Sequence, residues 1–121
     1  MKLLRIDDFI NTDNPTPGKF YRSDILTLAD QAKEIGGMFG LLAPGTQVPY
    51  HYHEKRESII IFIQGEAIEI VEGKEFPVRA GDVLFIPAME KHAMINRSAS
   101  DVRYIEFWTP PSIPPDFVQV K

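Results

Sequence analysis

The hydrophobic positions of this chain recur with the period of β-strands rather than that of helices. From residue 37 onward, short runs rich in β-branched and aromatic residues are separated by turns of glycine, proline and aspartate. Many short strands joined by turns indicate an all-β fold, an antiparallel sandwich or barrel. The predicted strands cover residues 38–43, 47–53, 58–63, 67–71, 75–78, 83–86, 92–96 and 102–109.

Two of these runs differ in what their pattern predicts about burial. The run at 58–63 is Ser-Ile-Ile-Ile-Phe-Ile, which is typical of a strand buried on both faces. The run at 102–109 carries Arg103, Ile105 and Phe107 on one side and Tyr104, Glu106 and Trp108 on the other. Its pattern leaves open which of the two sides faces the core.

The flanking segments predict one domain with an N-terminal and a C-terminal extension of the barrel. Over residues 1–36 we expect a short edge strand at Leu3–Ile6, a loop at 11–18, a strand at 19–23 and a loop at 27–35, packed on the barrel or on a partner. Residues 37–109 form the barrel. The proline-rich tail, residues 110–121, runs extended across the surface because proline has no N–H to donate to a sheet.

Composition and charge exclude several classes of partner. A net charge of −4 makes nucleic acid an unsuitable partner, and no apolar run approaches the roughly 20 residues that a membrane span needs. Acidic residues stand where a signal peptide would be apolar, so we expect a cytoplasmic protein. The chain has no cysteine, so nitrogen and oxygen atoms must supply the ligands of any metal.

Three histidines and one carboxylate form a candidate metal site. His51 and His53 stand at i and i+2, which places both imidazoles on one face of a strand. Glu57 follows four residues after His53, and His92 begins a later strand. Three imidazoles and a carboxylate suit a divalent ion such as Fe, Mn, Ni or Zn.

The same residues give the chain a resemblance to the cupin family. It covers residues 37–108 and implies a double-stranded β-helix, the jelly-roll barrel. It also implies that His51, His53, Glu57 and His92 bind the metal. The family's two motifs are matched, in order, by Gly45, His51, His53, Glu57 and Gly65, and then by Gly81, Pro87, His92 and Asn96.

The chain departs from the family pattern at two positions. Met89 stands where the family usually has glycine, so a thioether could face the site. Counted from His53 the carboxylate ligand is Glu57, whereas counted back from Gly65 its place is taken by Ser58. Either a bulge turns Glu57 inward, or three histidines bind the metal beside Ser58. We favour Glu57, because a carboxylate neutralises a hard dication.

The resemblance implies two kinds of function. The first is a metal-dependent enzyme that acts on a small oxygenated ligand, sugar-like or carboxylate-like, by isomerase, lyase or dioxygenase chemistry. The alternative is a non-catalytic module that binds a carbohydrate or effector and has a structural or vestigial metal. The family resemblance also implies a homodimer, which exposed aromatic residues at strand edges would support.

The sequence identifies no acid or base for such a reaction. Glu54, Glu90 and Glu106 are the carboxylates that the pattern places near the histidines, and Arg22 is a candidate contact for an anionic substrate. Asn96 either lines the cavity or makes a polar contact at the end of its strand.

Overall fold

Two antiparallel sheets face each other and enclose the core. The computed structural model describes residues 1–10 and 15–121, and over these residues the sheets have five strands each, in the orders β1-β2-β9-β4-β7 and β10-β3-β8-β5-β6. The predicted all-β jelly-roll class is confirmed. The strands are β1 (Phe20–Leu26), β2 (Gly36–Leu42), β3 (Gln47–Tyr52), β4 (Glu57–Gln64), β5 (Glu66–Val71), β6 (Lys74–Arg79), β7 (Val83–Ile86), β8 (His92–Ile95), β9 (Val102–Thr109) and β10 (Val118–Gln119).

The N-terminal segment differs from its prediction. The edge strand expected at Leu3–Ile6 is wrong, because helix α1 spans Ile6–Ile10 and the residues before it form no strand. Asp7 and Asp8 lie in its first turn, where negative charge is favourable. Phe9 stacks on Phe39 of β2 with ring centroids 4.4 Å apart, so the helix covers part of the outer face of the first sheet.

Two predicted loops meet different outcomes. The loop at 11–18 falls partly outside the described residues, which resume at residue 15. The loop at 27–35 contains one 3-10 turn, Leu28–Asp30. Thr27 and Asp30 cap this turn reciprocally through their side chains and backbone N–H groups.

Side chains alternate between the core and the outer faces, and β4 follows this rule. Ile60 and Phe62 point inward and are buried, where they join a cluster with Leu42 and Tyr104. Ile59 lies on the opposite face and is 46% exposed. The predicted burial of this strand on both faces is therefore wrong for the single chain. The described residues include no helix of the length and hydrophobicity that a membrane span requires.

The second sheet positions the histidines. His51 of β3 lies directly opposite His92 of β8. On its other side β8 pairs with β5, so that Glu69 lies opposite Met94. Directly opposed residues share a face of the sheet, so these four side chains all point into the barrel.

Gly65 combines a positive φ with a close approach of the backbone. Its φ is 83°, and a Cβ would lie 2.2 Å from the carbonyl oxygen of Asp101. We expect Gly65→Ala to lower the free energy of unfolding by roughly 3 kcal/mol or more. Gly73 has a φ of 79° with nothing within 4 Å, so Gly73→Ala should cost only about 1–2 kcal/mol.

Urea titration of both glycine variants separates the steric contact from the backbone strain that they share. Equal losses in the two variants would contradict the proposed clash with Asp101.

Candidate metal centre

The three histidines converge at one end of the barrel interior. One ring nitrogen from each of His51, His53 and His92 lies within 4.8 Å of the other two. The ring centroids of His51 and His92 are 4.1 Å apart, those of His51 and His53 4.9 Å. All three side chains are buried. The predicted convergence of these histidines is therefore present in the fold.

Backbone carbonyls fix the tautomer of every ring. Nδ1 of His51 donates to the carbonyl of Pro49 at 2.6 Å, and Nδ1 of His92 to that of Glu90 at 3.0 Å. Nδ1 of His53 donates to the carbonyl of Asp116. Each ring therefore keeps its Nε2 lone pair free, which is the form that binds a metal.

The surroundings also keep the imidazoles neutral. Burial, with a smaller effect of the nearby His92, lowers the pKa of His51 to about 3. Burial likewise holds the pKa of His53 and of His92 below their usual value. Because the imidazoles are neutral and oriented, no proton competes with a metal ion for their nitrogens at ordinary pH.

Comparison with known proteins assigns the fold to a family. The family model described as a cupin domain matches residues 38–108, more than half of the chain. The chain belongs to the cupin family. A solved structure from Klebsiella pneumoniae, an uncharacterised conserved protein with a double-stranded β-helix domain, aligns with a TM-score of 0.82 at 18% identity, over 100% of this chain and 98% of that one. At this identity the likeness shows the fold alone.

Two curated relatives of this cupin carry functional names. An oxalate-binding protein of Thermotoga maritima is 34% identical over 64 residues, 53% of this chain and 53% of that protein. Polyketide synthase CurC of Streptomyces cyaneus is 29% identical over 76 residues, 61% of this chain and 49% of that protein. The chain spans about half the length of these curated relatives.

The predicted fourth ligand does not lie with the histidines. Glu57 is exposed and lines a separate cleft on the outer face of the first sheet, beside Ile35 and Phe107. The register of β4 on β9 is continuous from Glu57 to Phe62, so the bulge that would turn Glu57 inward is absent from this described stretch. Ser58 points inward instead and is buried.

An arginine occupies the space beside Ser58. The Arg56 Nε donates to the Ser58 hydroxyl at 3.2 Å, and its Nη2 donates to Glu106 at 2.5 Å. The guanidinium also lies 4.2 Å from the centre of the Trp108 ring. Ser58 therefore orients Arg56. These contacts also show which side of β9 faces the core: Tyr104, Glu106 and Trp108 lie on its inner side.

Glu69 is the functional candidate that the sequence pattern missed. Its side chain lines the same inner cavity as the histidines and Glu106, and it is 1% exposed. Neither carboxyl oxygen has a hydrogen-bond partner among the described residues. Burial raises the pKa of Glu69 well above its usual value, and Glu106 raises it further. Alternation of Ile68 and Ile70 alone would have placed Glu69 outside.

Two residues at motif positions have structural roles. Met89 has a φ of 70°, which explains why glycine suits this slot, and its side chain is 58% exposed rather than facing the site. Asn96 is fully buried, but its amide nitrogen donates to the carbonyls of Leu42 and Ser100. Its oxygen accepts from Ser98, so Asn96 makes the strand-end contact.

The inner cavity adjoins a larger groove. The cavity has a volume of about 90 Å³, and the groove, about 650 Å³, lies between the barrel and the proline-rich tail. Arg22, Arg56 and Phe117 line both.

The other two carboxylates that the sequence pattern suggested near the histidines do not offer a carboxyl group to the site. Glu54 is exposed, and Glu90 contacts His92 through its backbone.

The buried Glu69 predicts how stability changes with pH in the metal-free protein. Above pH 4.5, the usual value, the native state holds a proton that the unfolded chain has lost. The contribution of Glu69 to the free energy of unfolding therefore falls as the pH rises toward its native pKa, by up to about 1.4 kcal/mol per pH unit. The buried histidines contribute in the opposite direction, but equally in the wild type and in a Glu69 variant. Glu69→Gln should remove this loss, match the wild type near pH 4.5 and exceed it in stability at pH 7.

Urea titrations from pH 4.5 to 8 would measure this difference, with Glu66→Gln, an exposed position on the same strand, as the matched control. A Glu69→Gln variant whose stability follows the wild-type pH profile would show that Glu69 is not buried as described.

Proposed function

We propose that this cupin is a metal-dependent enzyme that acts on a small oxygenated substrate. The observation that carries the proposal is the convergence of three neutral histidines whose Nδ1 atoms are all occupied by backbone carbonyls. Nε2 of His53 is buried without a hydrogen-bond partner among the described residues. Burial of such an atom is costly unless a ligand satisfies it.

The donor set fits a divalent metal bound by His51, His53 and His92. Imidazole and oxygen donors suit Fe, Mn, Ni or Zn, and the absence of cysteine excludes thiolate sites. Such an ion would supply Lewis-acid polarisation of substrate oxygens or, as iron, dioxygen chemistry. The nearby guanidinium of Arg56 is neutralised by Glu106.

The cavities indicate the size of the substrate. The inner cavity of about 90 Å³ corresponds to about three water volumes of roughly 30 Å³, so it takes only the reacting end of a molecule. A larger substrate must extend past Arg22 and Arg56 into the groove. Because Glu106 neutralises Arg56, Arg22 is the cation of this pair that favours a carboxylate or another anionic oxygen group. This preference is consistent with the oxalate-binding name of the Thermotoga maritima relative.

Among the possible reaction classes, Glu69 favours proton transfer. A carboxyl group that is buried in the cavity and kept protonated can donate to a substrate oxygen or carbon, and its conjugate base can take the proton back. Isomerase and lyase reactions need such a group. Oxygenation does not require one, so we place isomerase or lyase chemistry ahead of dioxygenase chemistry.

A second candidate is a non-catalytic binding module. One observation favours it: no carboxylate from the described residues joins the cluster of ligand atoms that the three histidines form, so the ion would be held less tightly than by a four-ligand set. Affinity for oxalate and small 2-hydroxy acids separates the two. A module keeps its affinity after the metal is removed with a chelator, whereas the enzyme loses affinity and turnover together.

Metal content tests the proposed site directly. Untagged wild-type protein should contain close to one equivalent of Fe, Mn, Ni or Zn by elemental analysis, and His92→Ala should contain almost none while remaining folded. Removing one of three ligands deletes a metal–nitrogen bond and opens the site to water. Lys91→Ala, an exposed neighbour, is the control and should keep its metal.

A wild-type protein that takes up no metal after reconstitution would overturn the metal-dependent function. Full occupancy in His92→Ala would show instead that the ion binds elsewhere.

We further propose that a second copy of this chain covers the outer face of the first sheet. Helix α1 covers the part of this face near Phe39. Beyond β9 on the same sheet, Ile59, Val83 and Phe85 are 46%, 63% and 58% exposed. These residues lie on adjacent, paired strands and form one apolar patch. Contiguous apolar surface of this kind marks protein interfaces.

Charge on this patch tests the dimer. Phe85→Lys should shift the protein from dimer to monomer in sedimentation velocity at micromolar concentration, because a buried lysine at the contact is costly. Phe76→Lys, an exposed aromatic position in the second sheet, is the control and should stay dimeric. A wild-type protein that is monomeric throughout would exclude this interface.

A further inference from the structure

The proline-rich tail contacts the metal centre directly. Its end pairs with the strand that carries the first histidine: β10 places Gln119 opposite His51, and the Val120 amide donates to the Tyr50 carbonyl at 2.9 Å. The segment therefore packs against β3, not merely across the surface, and brings Asp116 and Phe117 to the site.

Asp116 makes two kinds of contact at the corner that follows His53. Its carboxylate accepts the backbone N–H groups of Glu54, Lys55 and Arg56 at 2.8, 2.8 and 3.0 Å. Three convergent N–H groups form a strong site for one carboxylate. Its own backbone carbonyl accepts the Nδ1 hydrogen of His53. One residue thus holds the corner and orients the imidazole.

Phe117 adds a wall over the same rings. Its ring stacks on His51, with centroids 4.5 Å apart and planes 22° apart, and lies 6.1 Å from His53. It also lines both the inner cavity and the groove. The path from solvent to the histidines therefore depends on where residues 116–117 sit.

We infer that residues 110–121 are a part of the metal centre, in which Asp116 is a positioning residue that couples docking of this segment to metal affinity. The inference rests on the proposed function and deepens it. His51 and His92 take their orienting carbonyls from residues two positions away, Pro49 and Glu90. His53 takes its carbonyl from a segment 63 residues away, so its orientation is lost when that segment leaves.

The coupling is reciprocal. If docking of the segment strengthens metal binding by some factor, metal binding must stabilise docking by the same factor. Partners that orient a metal-binding histidine typically contribute 10- to 100-fold to affinity. Some ligands could enter the groove only if Phe117 moved. Binding of such a ligand would then lower the affinity for the metal, and a bound metal would favour the closed groove.

Zn²⁺ affinity of the untagged protein tests the coupling, measured by competition with a chromophoric chelator. Asp116→Ala keeps the backbone carbonyl but removes the carboxylate that holds it in place, so the dissociation constant should rise roughly 10- to 100-fold. Asp116→Asn retains one acceptor oxygen, so its dissociation constant should lie between those of the wild type and Asp116→Ala. Asp82→Ala is the matched control, because Asp82 likewise caps a backbone N–H, that of Arg79 at 2.9 Å, in a turn away from the site.

Hydrogen exchange in the wild type gives a second readout that needs no variant. The Val120 amide, which is bonded to Tyr50, should exchange more slowly when Zn²⁺ is bound. Wild-type affinity in Asp116→Ala, equal weakening in Asp82→Ala, or Val120 exchange that ignores Zn²⁺ would each overturn the inference. Failure of the wild type to bind Zn²⁺ would instead remove the proposed metal site itself, and the coupling with it.

Discussion

The pairing register of β3, β8 and β5 is the constraint on which the site depends. An antiparallel pair leaves no freedom in which residues share a face, and a slip of one residue would turn every side chain over. With His51 opposite His92 and Glu69 opposite Met94, three strands present their chemistry to one cavity. The hydrophobic side chains between the sheets hold this register, because a slip would expose them.

Within this core, polar residues fall into two groups that differ in how well they are satisfied. Asn96 is fully buried and uses both its amide nitrogen and its oxygen in hydrogen bonds. Glu69 is equally inaccessible, but neither oxygen has a partner among the described residues. A buried group that the fold leaves unsatisfied lowers stability, and its retention is best explained by a ligand that satisfies it. Burial alone does not separate structural from functional residues, whereas the presence or absence of hydrogen-bond partners for the buried polar atoms does.

The sequence predicted the fold class, eight strands of the barrel within one or two residues and the three histidines, because these depend on local patterns and fixed spacings. It failed where a residue's face depends on pairing partners far along the chain. Glu69 stands between two isoleucines that favour the opposite orientation, and only its register with Met94 turns it inward. The contact of Asp116 with His53 spans 63 residues, and no local pattern predicts it.

The buried carboxyl group of Glu69 does not stand at the motif's acid position, and this changes what the site can do. A carboxylate bound to a metal is held ionised by the ion and cannot donate a proton. Here Ser58 stands where the motif, counted from Gly65, has its acid, and it orients Arg56 instead. The buried carboxyl lies on β5, outside the set of ligand atoms that converge at the histidines. In the proposed function, metal binding and proton transfer would therefore fall to different residues, and Glu69 would keep its proton until a substrate takes it.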